Sequence, residues 1–280
     1  MSAKRLDNIL QNLTEKHLNG VDLTPEEKAK QQCEWSNNTE GHLHEKDGYN
    51  CDICRNKGFV YEVRQDTAGG FYEVAIPCKC EKIRQTLNRA KRSGLGNILT
   101  DYTFDKFETP EEFHRTLKDK AQEFCKDDNA KIFYIGGQSG SGKTHLCTAI
   151  AGHYIKQGKD CRYMLWRDDA VKLKQCVNDY AVYQPLINEF KNVDVLYIDD
   201  LFKSANGEEM TPPTRADINI AFEIVNHRIL DKDKITIISS EFTMEQALEF
   251  DEATMGRIYQ PAKNYTINIS KDRQKNWRLR

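Results

Sequence analysis

The octapeptide Gly137-Gln138-Ser139-Gly140-Ser141-Gly142-Lys143-Thr144 constrains this chain more than any other stretch. It fits G-x-x-x-x-G-K-[ST] in full, between the apolar run Lys131-Ile132-Phe133-Tyr134-Ile135 and a helical pattern with Leu146, Ala149 and Ile150. Strand, glycine loop and helix in that order build a phosphate cradle. The glycines let successive backbone N–H groups turn inward, and the helix N-terminus adds partial positive charge. Lys143 is the side chain expected on the β- and γ-phosphates of ATP, and the Thr144 hydroxyl the one expected on Mg²⁺. A glycine-rich turn without a ligand is the alternative, and the flanking strand and helix argue against it. Further strands are expected at 161–166, 193–198, 235–239 and 265–270, and helices at 143–157, 168–180, 214–230 and 243–259. The alternation predicts an α/β fold, a mostly parallel sheet flanked by helices.

A phosphate loop needs an acidic element on a neighbouring strand. Val193-Asp194-Val195-Leu196-Tyr197-Ile198-Asp199-Asp200 is an apolar run ending in two carboxylates. Asp199 is expected beside the Mg²⁺, and Asp200 is placed to orient or deprotonate the attacking water. A strand ending in a solvated acidic turn is the bland alternative.

These motifs in this order resemble those of AAA+ ATPases. More narrowly, they resemble replicative-helicase loaders of the DnaC/DnaI type, bacterial or phage, and the related transposition ATPases of the IstB type. The likeness rests on residues 102–108 (YTFDKFE), 137–144 (GQSGSGKT), 197–202 (YIDDLF), 236–241 (TIISSE), 255–259 (MGRIY) and 276–278 (NWR), and covers roughly 95–280. It implies a sensor of the γ-phosphate at the tip of strand 235–239: Ser240 first, Ser239 second, with Glu241 where many relatives carry asparagine. It also implies an arginine finger, Arg257 or the competing Arg228, offered to a neighbouring subunit in a side-by-side assembly. Asp200 stands where most AAA+ proteins have glutamate, so slow, switch-like hydrolysis is expected. Little chain follows strand 265–270, so no helical lid is expected.

Ahead of this region, Cys51-Asp52-Ile53-Cys54 and Cys78-Lys79-Cys80 bracket two candidate strands, Phe59–Arg64 and Phe71–Ile76, joined by a turn at Asp66–Gly70. Four thiolates suit tetrahedral Zn²⁺, and a hairpin between two ligand pairs is how a zinc ribbon closes. Gly58 suits the turn of the first knuckle. The C-x-C spacing of the second pair lowers specificity, and His42 or His44 could replace one ligand. The segment has too few large apolar residues to fold unaided, which favours metal over free thiols. The other five of the nine cysteines (Cys33, Cys125, Cys147, Cys161 and Cys176) are expected as buried thiols. An N-terminal zinc domain is also a feature of loaders from Gram-positive bacteria and their phages, where it engages the helicase.

Helices are expected over residues 1–19, from Leu6, Ile9, Leu10 and Leu13, and from Thr24-Pro25-Glu26-Glu27 to about Trp35. The second Thr-Pro-Glu-Glu, Thr109–Glu112, is read as opening a helix to about Lys126. The expected domains are 1–50, a helical segment; 51–96, the zinc hairpin and a basic helix ending at Ser93–Gly96; and 97–280, the AAA+ ATPase domain. Lysine and arginine total 41 against 43 aspartate and glutamate, a net charge of −2. That excludes a uniformly basic coat protein but not local patches. Candidate single-stranded DNA contacts are the basic stretch with Lys82, Arg84, Arg89, Lys91 and Arg92; Lys172 and Lys174; and the tail with Lys271, Arg273, Lys275, Arg278 and Arg280, where Trp277 could stack on a base. The start of the chain lacks the apolar core of a signal peptide and no stretch suits a bilayer, so a cytoplasmic protein without membrane partners is expected.

The combined expectation is an ATP-dependent loader with ATP, Mg²⁺ and Zn²⁺ as cofactors, and replicative DNA helicase and single-stranded DNA as partners. An IstB-type transposition helper, acting on duplex DNA and a transposase, is the alternative. A P-loop phosphotransferase acting on a small molecule is a third class.

Overall fold

A computed structural model describes residues 23–92, 95–204, 211–272 and 275–277. The expected helix within 1–19, the Ser93-Gly94 break and Arg273, Arg278 and Arg280 lie outside them, as do the side chains of Arg89, Lys91 and Arg92. The chain divides into two compact units, Met1–Glu81 and Lys82–Arg280.

In the first unit, helix Pro25–Asn38 opens on the capping box read from the sequence. The Thr24 side chain accepts from Glu27 N, and the Glu27 carboxylate takes the Thr24 N–H. It outruns the expected end near Trp35 because Asn37 docks on the hairpin. The Asn37 Nδ2 donates to Tyr61 O at 2.8 Å, and its Oδ1 accepts from Tyr61 N at 2.8 Å. A short helix, Leu43–Asp47, follows. Strands β1 (Phe59–Gln65) and β2 (Phe71–Pro77) pair antiparallel from Phe59↔Pro77 to Gln65↔Phe71. Their turn is closed by Asp66, whose Oδ1 accepts from the N–H groups of Ala68 and Gly70. Helix Cys80–Arg92 begins in this unit.

The second unit is a five-stranded parallel sheet. Its strands are β3 (Ile132–Gly137), β4 (Cys161–Leu165), β5 (Val195–Leu201), β6 (Ile235–Ser240) and β7 (Thr266–Ile269), in the spatial order β4-β5-β6-β3-β7. Every residue of β3 and β6 is buried, as parallel strands covered on both faces require. Crossover helices Lys143–Lys156, Trp166–Cys176 and Arg215–Ile229 connect the strands. The order reverses at β3, so its C-terminal end meets the crevice where ligands of open α/β sheets bind.

Three helix readings need correction. Helix Glu112–Lys126 starts later than the Thr109-Pro110 signal: Glu111 is its N-cap, and no side chain caps it. A further helix, Tyr180–Asn192, fills a stretch to which the sequence reading assigns no element; Asp179 caps it on the N–H groups of Ala181 and Val182, and it tolerates Pro185 inside. The single helix expected at 243–259 is two, Met244–Phe250 and Glu252–Ala262. Asp251 separates them in an extended conformation, its carboxylate accepting from Thr254 N at 2.8 Å.

Candidate functional site: a phosphate loop and a four-cysteine centre

The loop leaving β3 turns on three glycines with positive φ: Gly137 (108°), Gly140 (74°) and Gly142 (88°). At Gly137 a side chain is excluded twice over, by φ and by backbone it would strike, while Gly140 is held mainly by its φ. A Cβ on Gly137 would lie 2.0 Å from the Ile269 carbonyl oxygen, and one on Gly140 2.0 Å from Asn276 Oδ1. Gln138, Ser139 and Ser141 complete the loop, with Ser141 Oγ donating to Gln138 O at 2.8 Å. Lys143 opens the helix and is 6% exposed; its Nζ donates to the carbonyls of Gly137 and Gln138 at 2.8 and 2.7 Å. Burial lowers its pKa, against the pull of the Asp200 and Glu241 charges.

The neighbouring strand supplies the acid. Asp199 is 5% exposed and ringed by hydroxyls. Tyr163 donates to its Oδ2 at 2.8 Å, and Tyr197 and Ser239 to its Oδ1 at 2.7 and 2.5 Å. The Thr144 hydroxyl lies 3.5 Å from the same Oδ1, so the two side chains expected around Mg²⁺ meet across the sheet. The β5–β6 register is irregular between Ile198 and Leu201, and Asp200 takes a left-handed φ of 56°. This kink turns its carboxylate toward Lys203, 2.9 Å away, which also pairs with Glu241 at 2.9 Å. Burial would lower the Lys203 pKa; its bonds to Glu241 and Asp200 outweigh that and raise it.

Around the loop lies a cavity of about 380 Å³ lined by Lys143, Thr144, Asp200, Lys203 and Glu241, with an aromatic wall of Tyr102, Phe107, His145 and Trp277. The His145 ring stacks on Tyr102 with centroids 4.7 Å apart, and its Nε2–H donates to Thr103 O at 2.9 Å. Burial lowers the His145 pKa, against its bond to the Thr103 carbonyl. The loop glycines, the buried lysine and the Thr144–Asp199 pair fit a nucleoside triphosphate with Mg²⁺.

Several expectations change here. Ser240 does not face the phosphate loop. On a strand, neighbours point to opposite faces, and its hydroxyl donates to Leu201 O at 2.8 Å while accepting from Phe242 N. Ser239 is the serine that reaches Asp199, and it also accepts from Asp200 N at 3.0 Å. Arg228 is no finger. It is 1% exposed, and its guanidinium is consumed by Thr236 Oγ1 and the carbonyls of Phe190, Lys191, Val193, Asp194 and Ile235. Arg257 is exposed, bonded to Asn226 Oδ1 at 2.8 Å and lying over the Phe222 ring, outside the walls of this chain's own cavity.

Of the expected DNA contacts, Arg84 is buried, Lys172 pairs with Asp169 and Lys174 with Asp217. Lys82 and Lys271 are exposed. Lys275 donates to Ser270 Oγ and lies over the Phe113 ring. Trp277 is not a free stacking platform: its backbone N–H donates to Gly140 O at 2.9 Å and its ring packs on His114. Sequence reasoning missed Tyr163, Tyr197, His145 and Lys203. The tyrosines follow from strand alternation: Tyr197 and Asp199 are two apart on β5, and Tyr163 is the register partner of Tyr197.

In the first unit, Cys51, Cys54, Cys78 and Cys80 are buried with all four Sγ atoms within 4.8 Å of one another. The Cys51–Cys78 and Cys54–Cys80 sulfurs are 3.8 and 3.4 Å apart. Zn–S bonds of about 2.3 Å at tetrahedral angles give S···S edges of about 3.8 Å, so the donor set fits Zn²⁺. The first knuckle is shaped by left-handed Arg55 and Asn56, and the Gly58 N–H donates to Cys54 Sγ at 3.3 Å. Among the described residues neither His42 nor His44 joins this group, and His42 pairs with Glu45. Of the other cysteines, Cys125 and Cys176 are only partly buried.

The family described as IstB-like ATP binding protein matches residues 78–258, more than half of the sequence. The chain belongs to that family. The chain is similar to the phage-like element PBSX protein XkdC of Bacillus subtilis (strain 168), 31% identical over 79% of this chain and 82% of that protein. The replicative helicase loader DnaC of Buchnera aphidicola subsp. Baizongia pistaciae (strain Bp) is 27% identical over 44% of this chain and 50% of that protein. Among solved structures, a crystal structure of a DNA replication initiation factor superposes with a TM-score of 0.50 at 19% identity, covering 64% of this chain and 53% of that one; this likeness concerns the fold. An IstB-like ATP-binding domain makes this chain an ATPase, with ATP as nucleotide and Mg²⁺ its customary partner. No helix among the described residues is long and apolar enough to cross a membrane.

Proposed function

We propose that this chain is an ATP-dependent loader that binds a replicative DNA helicase and places it on single-stranded DNA. The observation that carries this reading is the phosphate loop joined through Thr144 to Asp199 in a chain similar to a protein named replicative helicase loader DnaC. In this reading the N–H groups of residues 137–144 and the Lys143 ammonium hold the ATP phosphates. Thr144 and Asp199 hold Mg²⁺, which neutralises phosphate charge, and Asp200 orients or deprotonates the attacking water. Ser239 ties the two aspartates together, donating to the Asp199 carboxylate and accepting from the Asp200 backbone N–H. Arg257, exposed on its helix, reaches the nucleotide of a neighbouring copy in a side-by-side assembly. The segment before the ATPase domain (residues 1–50 and the zinc hairpin of 51–96) docks on the helicase, and the protein works in the cytoplasm.

The test combines capture and loading. The tagged full chain is incubated with the purified replicative helicase of its host, ATP and circular single-stranded DNA. The expected result is an ATP-dependent complex and helicase transferred to the circle, lost with Lys143→Ala. Absence of any helicase complex under conditions where ATP binds would refute the reading. ATPase stimulation by duplex DNA and a transposase, in place of helicase, would instead assign the IstB-type transposition role.

A further inference from the structure

We propose that Lys203 is a positioning residue of the hydrolytic site: it pins the Asp200 carboxylate and neutralises Glu241 beside the phosphate pocket. The inference rests on the assignment of Asp200 to the attacking water. Its basis is a three-charge cluster in which one ammonium serves two carboxylates, with Nζ 2.9 Å from Asp200 Oδ2 and 2.9 Å from Glu241 Oε1. The three side chains are only 27%, 24% and 20% exposed, so water screens them less than an open surface pair. All three line the cavity that holds Lys143 and Thr144.

The backbone explains why Lys203 sits there. Lys203 N donates to Asp200 O at 2.9 Å, closing a tight turn after the irregular end of β5. Asp200 and Phe202 both carry positive φ in this turn, 56° and 67°. An aromatic residue in that region is held only by its surroundings. Here Phe202 is 3% exposed and its ring packs edge-on against Trp166 at 5.5 Å. The anchored turn therefore presents Asp200 and Lys203 on one side, with Glu241 arriving from the end of β6.

The charge pattern gives the cluster its role. A carboxylate at position 241 repels a polyphosphate unless a cation answers it, and Lys203 is that cation. The same ammonium restricts the Asp200 carboxylate to one orientation. The two effects separate experimentally. Neutralisation of Glu241 acts on ATP affinity, whereas orientation of Asp200 acts on kcat.

The experiment uses the full chain, with ATP affinity from nucleotide titration, kcat from phosphate release at saturating ATP, and thermal melting as a check on folding. Lys203→Ala is expected to weaken ATP binding and lower kcat, each by about tenfold. Lys203→Arg restores both. Lys203→Ala combined with Glu241→Gln regains ATP affinity but not kcat. Glu241→Gln alone, which leaves the turn intact, tightens ATP binding and keeps the question decidable if Lys203→Ala misfolds. Wild-type affinity and kcat in Lys203→Ala would overturn the proposal, as would weaker ATP binding in Glu241→Gln or an affinity loss that Glu241→Gln does not repair. Asp200→Asn separates the two levels: wild-type kcat in that variant removes the Asp200 assignment, whereas a dead Asp200→Asn beside an unaffected Lys203→Ala removes only the role of Lys203.

Discussion

Cys54→Ser, or stripping with a chelator, is expected to unfold the hairpin unit while leaving ATP binding intact. The structure sets the scale. Among the described residues up to Glu81, the buried apolar side chains are Cys33, Cys51, Cys54, Cys78 and Cys80; no Leu, Ile, Val, Phe, Tyr or Trp there is buried. A fully buried aliphatic or aromatic side chain contributes about 1.5–3 kcal/mol, and the described residues of this unit include none. Among the described apolar residues, Tyr49 and Val60, both partly buried, pack against the four cysteines. A structural zinc site contributes on the order of 10–16 kcal/mol to folding. That is comparable with the whole stability of a typical domain, about 5–15 kcal/mol, which is why metal removal is expected to unfold this unit. Serine at 54 replaces a soft thiolate by a hydroxyl that stays protonated, opening one corner of the tetrahedron. The assay pairs metal analysis of gently purified protein with limited proteolysis at the exposed 66–70 turn and nucleotide titration. One zinc per chain is expected, with chelation or Cys54→Ser exposing the turn region to rapid cleavage at unchanged ATP affinity. Zinc-free protein whose hairpin resists the protease equally well would refute the reasoning.

Lys143→Ala should abolish nucleotide binding without unfolding the sheet, and titration showing wild-type ATP affinity would remove the phosphate-site assignment. Ser239→Ala should lower kcat by roughly tenfold, along with a loss of stability from the Asp200 N–H it leaves without its partner. Ser240→Ala should instead cost about 1–3 kcal/mol of stability through the unpaired Leu201 carbonyl while largely sparing turnover; melting and phosphate release on both variants decide it. Burial, reinforced by Lys156, lowers the His153 pKa, with a backbone bond to Cys125 acting the other way. Its stabilising effect is therefore full above the unfolded value of about 6.5 and is lost as pH falls through the lower folded value. Denaturant midpoints from pH 7.5 to 5.5 should fall less steeply in His153→Gln than in the wild type.

The phosphate loop was legible because every part of it is local. Glycines, lysine and threonine lie within eight residues, and the strand before them and the helix after them announce themselves by periodicity. The meeting of the four cysteines was legible for a similar reason, since two close pairs need only a hairpin to bring them together. Helix ends were less so. Thr24-Pro25-Glu26-Glu27 and Thr109-Pro110-Glu111-Glu112 are the same tetrapeptide, yet only the first forms the capping box. Composition cannot distinguish them because the entry path of the chain selects the cap.

What the sequence by itself determined is the nucleotide chemistry: a loop that wraps phosphate, a lysine and a threonine at its end, and two carboxylates on another strand. Which hydroxyl answers those carboxylates was decided only by tertiary structure. Ser239 and Ser240 are chemically identical neighbours, and the pleat of β6 turns one to Asp199 and the other to Leu201. Arg228 and Arg257 divide in the same way, one spent on buried carbonyls and one left at the surface. Lys203 owes its place to a turn anchored by Phe202 against Trp166, residues from different strands' ends. Local pattern fixes which groups a chain carries, but the direction each one faces depends on pleat, register and packing, and these exist only once distant segments have met.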